Sequence, residues 1–320
     1  MSKAPTIIDF DHGISAIDTE YVRPMLAASH LLVDGGEAAF IDTGTTYSVP
    51  LLLAALHIKG IAREQVRWVC VTHVHLDHAG GAGALMRELP NATLVAHPRA
   101  APHMIDPGKL IAGTVSVYGE EKTRKLYGEI GSVPEARVRV VQDGDRLELG
   151  TRTLTFIDTP GHAFHHYCIV DKANGVIFSG DTFGLSYREL DTARGAFIFP
   201  TTTPVHFEPE LAHASVDRLM GYDPEAIFLT HYSRVTELPR LAGDLHAGLD
   251  ALVAMARRHA NAGTERGTRI AADMRAWLAE RLAAHGCRLD AAGIDAVVTG
   301  DVRLNTQGLE VWLDRQSRAS

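Results

Sequence analysis

Cysteine is scarce: Cys70, Cys168 and Cys287 are the only three in 320 residues. So few, so widely spaced, exclude a disulfide framework. Cys70 and Cys168 lie in apolar runs and read as small core residues. Long hydrophobic runs are missing too, so nothing in the sequence reads as a membrane-spanning helix. The opening stretch M-S-K-A-P-T-I-I-D-F-D-H lacks the apolar core of a secretory signal, and the expectation is a reduced, cytoplasmic location. Positive charge is in deficit, with 31 Lys and Arg against 39 Asp and Glu and a net charge of −8. That balance argues against a nucleic-acid surface, which is normally basic. There is no low-complexity tract and no repeat of solenoid length. What remains, 46% apolar and 22% charged residues, is an ordinary globular protein with a core to bury. The expected partner is a small molecule, with neither nucleic acid nor membrane involved, and a homodimer is compatible with the composition.

Histidine is the one excess, with 17 in the chain. The densest group lies in V-R-W-V-C-V-T-H-V-H-L-D-H-A-G-G-A-G, residues 66–83. Trp68 to Thr72 are β-branched or aromatic apart from Cys70 and read as a buried strand. His73 and His75 then fall on one side of an extended chain, since side chains alternate, and Asp77 and His78 follow in the turn. Gly80, Gly81 and Gly83, before a helix over residues 84–89, would let backbone pass close beneath an ion. Three imidazoles and a carboxylate within six residues are a ligand cluster for Zn²⁺ or a similar cation. By contrast, His213, His246, His259 and His285 lie in Ala-rich helical surroundings with no ligand partner nearby, and read as surface or half-buried helix residues.

Along the rest of the chain, strands are expected at residues 6–10, 30–33, 38–41, 93–96, 138–141, 146–149, 154–158, 167–170, 176–179 and 226–230. Asp34-Gly35-Gly36-Glu37 reads as a hairpin turn. Helices are expected at residues 50–59 and 210–220, with a helical excursion over residues 104–130. After Pro239 the chain becomes Ala- and Leu-rich with helical periodicity at residues 241–262 and 269–285, then a mixed tail. The expected organisation is one domain over residues 1–238 and a mostly helical extension over residues 239–320. Two strand-rich halves flanked by helices suggest an α/β protein of two packed sheets with helices outside.

Three further strands end on a potential ligand. Leu154–Asp158 runs into T-P-G-H with His162, Val176–Ser179 into G-D-T with Asp181, and Ala226–Thr230 into His231. Strand ends are where a rigid scaffold presents functional groups. The set H-x-H-x-D-H, T-P-G-H, S-G-D-T and L-T-H, in that order, resembles the metal motifs of the metallo-β-lactamase-fold superfamily, and the resemblance covers roughly residues 20–235. It implies a four-layer αββα sandwich and a dinuclear centre. One ion would be held by His73, His75 and His162, the other by Asp77, His78 and His231, with Asp181 bridging both. Asp42, in I-D-T-G, would orient a ligand histidine by accepting its second ring N–H. The expected ions are two divalent metals per chain, Zn²⁺ first, with Fe and Mn also acceptable to a His and Asp site. Two such ions carry +4, and Asp77, Asp181 and a bridging hydroxide leave about +1 to polarise an acyl oxygen. Asp77 and Asp181 are therefore the candidate catalytic carboxylates.

Within that superfamily the chain is similar to the glyoxalase II-like group, on N-A-T-L-V-A-H-P-R-A-A-P-H-M-I-D-P-G-K-L and T-P-G-H-A-F-H-H. Flavodiiron members carry Glu where His75 stands, and lactonases of the best-known type carry Tyr where Gly184 stands. The resemblance implies hydrolysis of an ester, thioester or lactone of a small, partly apolar molecule. The alternative from another reaction class is a mononuclear iron persulfide dioxygenase, and a non-catalytic metal-binding scaffold is a third reading. Residues 97–127, including Tyr118, and the loop after Asp181, carrying Tyr187, Phe197 and Phe199, are expected to wall the substrate pocket. His165 and His166 are expected either beside the metal ligands or on the strand surface.

Overall fold

The computed structural model describes residues 4–203 and 205–319; Pro204, inside the expected pocket segment, and the extreme termini lie outside the described residues. The chain divides into two compact units. The first runs through Asp158 and takes up His165–Gly180 and Ile227–Arg234; the second comprises Thr159–Phe164, Asp181–Ala226 and the chain from Val235 onward.

Both sheets belong essentially to the first unit. The seven-stranded sheet has the order β1 (Ile7–Phe10), β2 (Ile14–Asp18), β3 (Ala28–Asp34), β4 (Glu37–Ile41), β5 (Val66–Cys70), β6 (Thr93–Ala96) and β7 (Val138–Val140). Its first four strands are antiparallel neighbours, and β4 to β7 run parallel. The parallel connections are made by helices α1 (Val49–Ile58), α2 (Leu76–Ala79), α3 (Ala82–Glu88), α4 (Ala101–Ile105), α5 (Gly108–Tyr118) and α6 (Glu120–Tyr127), as parallel crossovers require. Leu52 and Leu56 of α1 and Leu85 and Met86 of α3 close over Leu31, Phe40, Val69 and Leu94 of the strands.

The second sheet has the order β13 (Ser233–Val235), β12 (Ala226–Leu229), β11 (Val176–Gly180), β10 (Tyr167–Asp171), β9 (Arg152–Asp158) and β8 (Arg146–Leu149). The indole N–H of Trp68 on β5 donates to the carbonyl of Glu148 on β8 at 2.8 Å. At the strand turns, a Cβ on Gly35 would stand 2.8 Å from Gly150 Cα, and one on Gly150 would stand 2.4 Å from the Asp34 carbonyl. Both glycines have positive φ, so the two turns interlock only without side chains. Arg152 and Asp171, on neighbouring strands, form a buried ion pair at 3.0 Å.

The second unit holds α7 (Pro209–Met220), α8 (Leu238–Arg258), α9 (Arg266–His285) and α10 (Ala291–Ala319). Gly308 of α10 packs on the loop before α7 so closely that a Cβ there would overlap the Thr202 carbonyl at 1.4 Å. The fold class is the expected one, α/β with two sheets and helices of the αββα sandwich type and a helical C-terminal extension. Among the described residues no helix is long and apolar enough to cross a membrane.

Several local expectations are corrected. The strand before the histidine cluster ends at Cys70, and Asp77 and His78 sit on a helical turn, α2. Gly81 and Gly83 serve backbone packing: added Cβ atoms would meet the Thr45 carbonyl at 2.7 Å and the Gly131 carbonyl at 2.2 Å. The unanticipated β2 follows a turn in which His12 and Gly13 both have positive φ. The tail expected to be mixed is the 29-residue α10; its glycines and β-branched residues weaken the helical signal, and burial of Val298, Val302, Leu309 and Trp312 overrides it. His213 and His246 do have partners. Their Nδ1 atoms lie 2.6 Å apart between α7 and α8, with Asp250 and Asp217 at the far nitrogens, 3.3 and 3.1 Å away.

His30 on β3 yields a pH prediction. It is 1% exposed, its ring lies 5.5 Å from those of Phe178 and Phe228, and burial lowers its pKa to about 4 against the weaker pull of Asp42. Between about pH 6.5 and 4 the unfolded chain takes a proton at this position that the folded chain refuses, so stability falls with pH across that window. The loss approaches roughly 3 kcal/mol at 1.36 kcal/mol per unit. Urea titrations at pH 7 and pH 4 are expected to show a smaller acid loss, by that amount, in His30→Leu than in the wild type.

Candidate metal centre

In the first unit, extended chain beyond β5 carries His73 and His75 into α2, which presents Asp77 and His78; His231 arrives from the end of β12. One ligand atom each from Asp77, His78 and His231 lie within 4.8 Å of one another. Asp77 Oδ2 stands 3.4 Å from His231 Nε2 and 3.9 Å from His78 Nε2. The His73 ring centroid is 4.4 Å from that of His75 and 4.1 Å from that of His78. His73, His78 and His231 are buried, and His75 and Asp77 are half-buried.

The far nitrogens of His73, His78 and His231 are held from behind. His78 Nδ1 donates to Asp42 Oδ2 at 2.8 Å, and His231 Nδ1 to the Leu26 carbonyl at 2.8 Å. Both acceptors require a proton on Nδ1, so in the neutral imidazole the lone pair is on Nε2, on the side of Asp77. His73 Nδ1 lies 3.1 Å from Thr72 Oγ1. Asp42 is itself fully buried and also accepts from the Thr72 amide at 2.8 Å, the Thr72 hydroxyl at 3.0 Å and the Thr230 hydroxyl at 2.7 Å. Neutral imidazole nitrogens with a carboxylate oxygen are a donor set that fits Zn²⁺, Fe or Mn.

In the second unit, His162 Nε2 lies 3.3 Å from Asp181 Oδ2, both buried. The T-P-G-H turn is fixed by hydrogen bonds from Thr182 to Thr159, 3.0 Å, and from Ser215 of α7 to the Pro160 carbonyl, 2.6 Å. His162 Nδ1 faces the Thr201 carbonyl at 3.5 Å.

Of the expected pocket residues, Tyr187, Phe197 and Phe199 are buried at 1%, 4% and 1% exposure and face helices. The Tyr187 hydroxyl donates to Asp301 of α10 at 3.1 Å, its ring meets Phe199 edge-on at 5.9 Å, and Phe197 lies 5.5 Å from His285 of α9. Their position is that of packing, where aromatic area is best buried. Tyr118, half-buried at the end of α5, lies 6.3 Å from Tyr127. His166 and His165 flank His73 in near-parallel planes, at 4.8 and 6.1 Å.

Sequence reading missed Tyr21, whose hydroxyl donates to that of Tyr127 at 3.1 Å. Both phenols have raised pKa values, by burial first and by the charge of Asp77 next, so both stay neutral. No motif marks Tyr21. Thr72 and Thr230 were also missed, though a signal existed: each immediately precedes a ligand-candidate histidine, in V-T-H and L-T-H.

Residues 22–231 match the sequence model of the metallo-beta-lactamase superfamily. The acyl-coenzyme A thioesterase MBLAC2 of Homo sapiens is 30% identical over 188 residues, 53% of this chain and 63% of that protein. A hydroxyacylglutathione hydrolase of Rhodopseudomonas palustris is 29% identical over 195 residues, 57% of this chain and 64% of that one. The match thus spans just under two thirds of each of these relatives. An archaeal metallo-beta-lactamase superfamily protein from Sulfolobus tokodaii superposes with a TM-score of 0.64 at 19% identity, over 93% of this chain and 98% of that chain. A metallo-beta-lactamase family protein from Thermus thermophilus gives 0.64 at 18% identity, over 98% and 92%. At such identity these two establish the fold alone.

Asp42→Asn keeps the shape of the hub but turns half of an acceptor-only group into a donor. Removing a carboxylate behind a ligand imidazole costs about 10- to 100-fold in metal affinity. Competition with a chromophoric chelator is expected to show that loss in the variant with little change in far-ultraviolet circular dichroism; unchanged affinity removes Asp42 from the centre.

Proposed function

Because the chain belongs to the metallo-beta-lactamase superfamily, we propose that it is a metal-dependent hydrolase of an ester, thioester or lactone of a small, partly apolar molecule. The observation that carries this reading is the Asp77, His78 and His231 group, with its two imidazoles fixed in one tautomer by Asp42 and the Leu26 carbonyl. Such a group is built to receive a cation, since its neutral nitrogens and carboxylate oxygen all have lone pairs on one side.

In this proposal His73, His75 and His162 hold one ion, Asp77, His78 and His231 the second, and Asp181 serves both; motif order supports that division. Zn²⁺ is the first candidate, with Fe and Mn behind it. When bound, two divalent ions supply a nucleophile at neutral pH by lowering the pKa of water, and they withdraw charge from an acyl oxygen. The chain's own contribution is positional. Asp77, half-exposed while its neighbours are buried, aligns the attacking water and carries its proton toward the leaving group. Asp42 holds His78 against rotation. No serine or cysteine nucleophile is required. A thioester is the preferred bond among the three, because one relative is named an acyl-coenzyme A thioesterase and another a hydrolase of an acylated glutathione. The division into a catalytic domain, residues 1–238, and a helical extension, residues 239–320, belongs to the same proposal.

Protein purified without chelator is expected to carry about two metal ions per chain and to hydrolyse at least one member of a panel of acyl thioesters, aryl esters and lactones. Asp181→Ala should release at least one ion and lower turnover by several orders of magnitude, whereas Asp143→Ala, in an exposed turn, should leave both nearly intact. One iron per chain with dioxygen uptake on a persulfide would instead establish the dioxygenase reading.

A further inference from the structure

In the second unit, α7 and α8 carry the same five-residue pattern, H-A-S-V-D at residues 213–217 and H-A-G-L-D at residues 246–250. A histidine and an aspartate four residues apart lie on one face of a helix. The residues between them, Ser215 and Val216 on α7 and Gly248 and Leu249 on α8, are buried, and both histidines are half-buried. The two patterns meet reciprocally. His213 Nε2 of α7 lies 3.3 Å from Asp250 of α8, and His246 Nε2 of α8 lies 3.1 Å from Asp217 of α7. Between them the two Nδ1 atoms are 2.6 Å apart. The rings are parallel within 3°, with centroids 4.9 Å apart. That separation is the nitrogen gap plus one ring radius at each end, so the imidazoles are coplanar and meet head-on.

The row Asp250, His213, His246, Asp217 thus has three contacts between atoms that carry lone pairs, and each contact needs an electron-poor atom inside it. Two neutral imidazoles supply only two hydrogens. The carboxylates at both ends call for those hydrogens on the two Nε2 atoms, which leaves two Nδ1 lone pairs facing each other in the middle. A carboxylate behind the far nitrogen is also what fixes the tautomer of a metal-ligating histidine and raises its basicity. Here that backing occurs twice, on rings aimed at one point.

We propose that His213 and His246 bind one divalent transition-metal ion through their Nδ1 atoms, Cu²⁺ or Ni²⁺ ahead of Zn²⁺, and that the ion ties α7 to α8. Nitrogens that meet head-on are placed for opposite positions about an ion, which suits the tetragonal sites of Cu²⁺ and Ni²⁺ better than the tetrahedron of Zn²⁺. Metal–nitrogen bonds of about 2 Å set such nitrogens about 4 Å apart, so the rings turn outward from their 2.6 Å contact as the ion enters. Both side chains are 29% exposed, which leaves them room to turn and lets water fill the remaining coordination positions. This site shares no residue with the centre of the first unit and does not rest on the hydrolase reading.

The probe is Cu²⁺, titrated into the full chain against a competing chelator, with all bound metal counted by elemental analysis. His213→Ala and His246→Ala are each expected to hold one ion fewer per chain than the wild type at saturation, with unchanged far-ultraviolet circular dichroism. The paramagnetic resonance signal lost with that ion should show coupling to two nitrogens. Asp217→Asn and Asp250→Asn should keep the count at saturation but weaken uptake of this ion about tenfold, as loss of a backing carboxylate does. His57→Ala, on an exposed histidine of α1, should change nothing. Equal counts in the wild type and both histidine variants overturn the site and leave the middle contact to a shared proton. An equal loss in His57→Ala overturns it too, since uptake is then general to surface histidines. Ions held by the first-unit centre cancel in the difference between wild type and variant, so the two readings fail separately.

Discussion

The carboxylate of Asp42 is the constraint on which the site depends. It lies at the end of β4 with no exposure and a positive φ of 58°. From there it gathers the segment after β5 through Thr72, the segment after β12 through Thr230, and α2 through His78. A buried carboxylate without partners is costly. Four short hydrogen bonds make this one a fixed point, and they bring the ends of three strands from two sheets to one place. The ends of strands far apart in sequence are thereby locked together where Asp77, His78 and His231 converge.

Behind the ligands the same device recurs in different materials. His78 is backed by a side-chain carboxylate, His231 by a main-chain carbonyl and His73 by a threonine hydroxyl. Each turns the other ring nitrogen toward the candidate centre, and none depends on long flexible side chains. Rigid backing of this kind makes a coordination site strong, because no rotamer freedom is lost when the ion enters.

The surroundings divide the work. Tyr187, Phe197 and Phe199, the aromatics nearest the bridging-candidate aspartate in sequence, are absorbed into packing with α9 and α10 of the second unit. Tyr21 and Tyr127, distant from each other in sequence, are joined by a hydrogen bond of 3.1 Å.

The sequence by itself marked the candidate ligands and determined the scaffold that carries them. Each candidate ligand follows an apolar strand, and that pattern is local: β-branched runs make strands, and a polar residue at the end of a strand is presented by it. The superfamily and the two-sheet architecture followed from the same motifs. Tertiary structure decided the rest. It made α10 helical against its glycines, through burial of Val298, Val302, Leu309 and Trp312. It paired His213 with His246 across two helices and joined Tyr21 to Tyr127 over 106 residues. Long-range pairs of this kind leave no periodic trace, since neither partner's neighbours are changed by the contact. The dipeptide Thr-His was visible twice in the sequence, but only the fold shows why: both hydroxyls end on the same carboxylate.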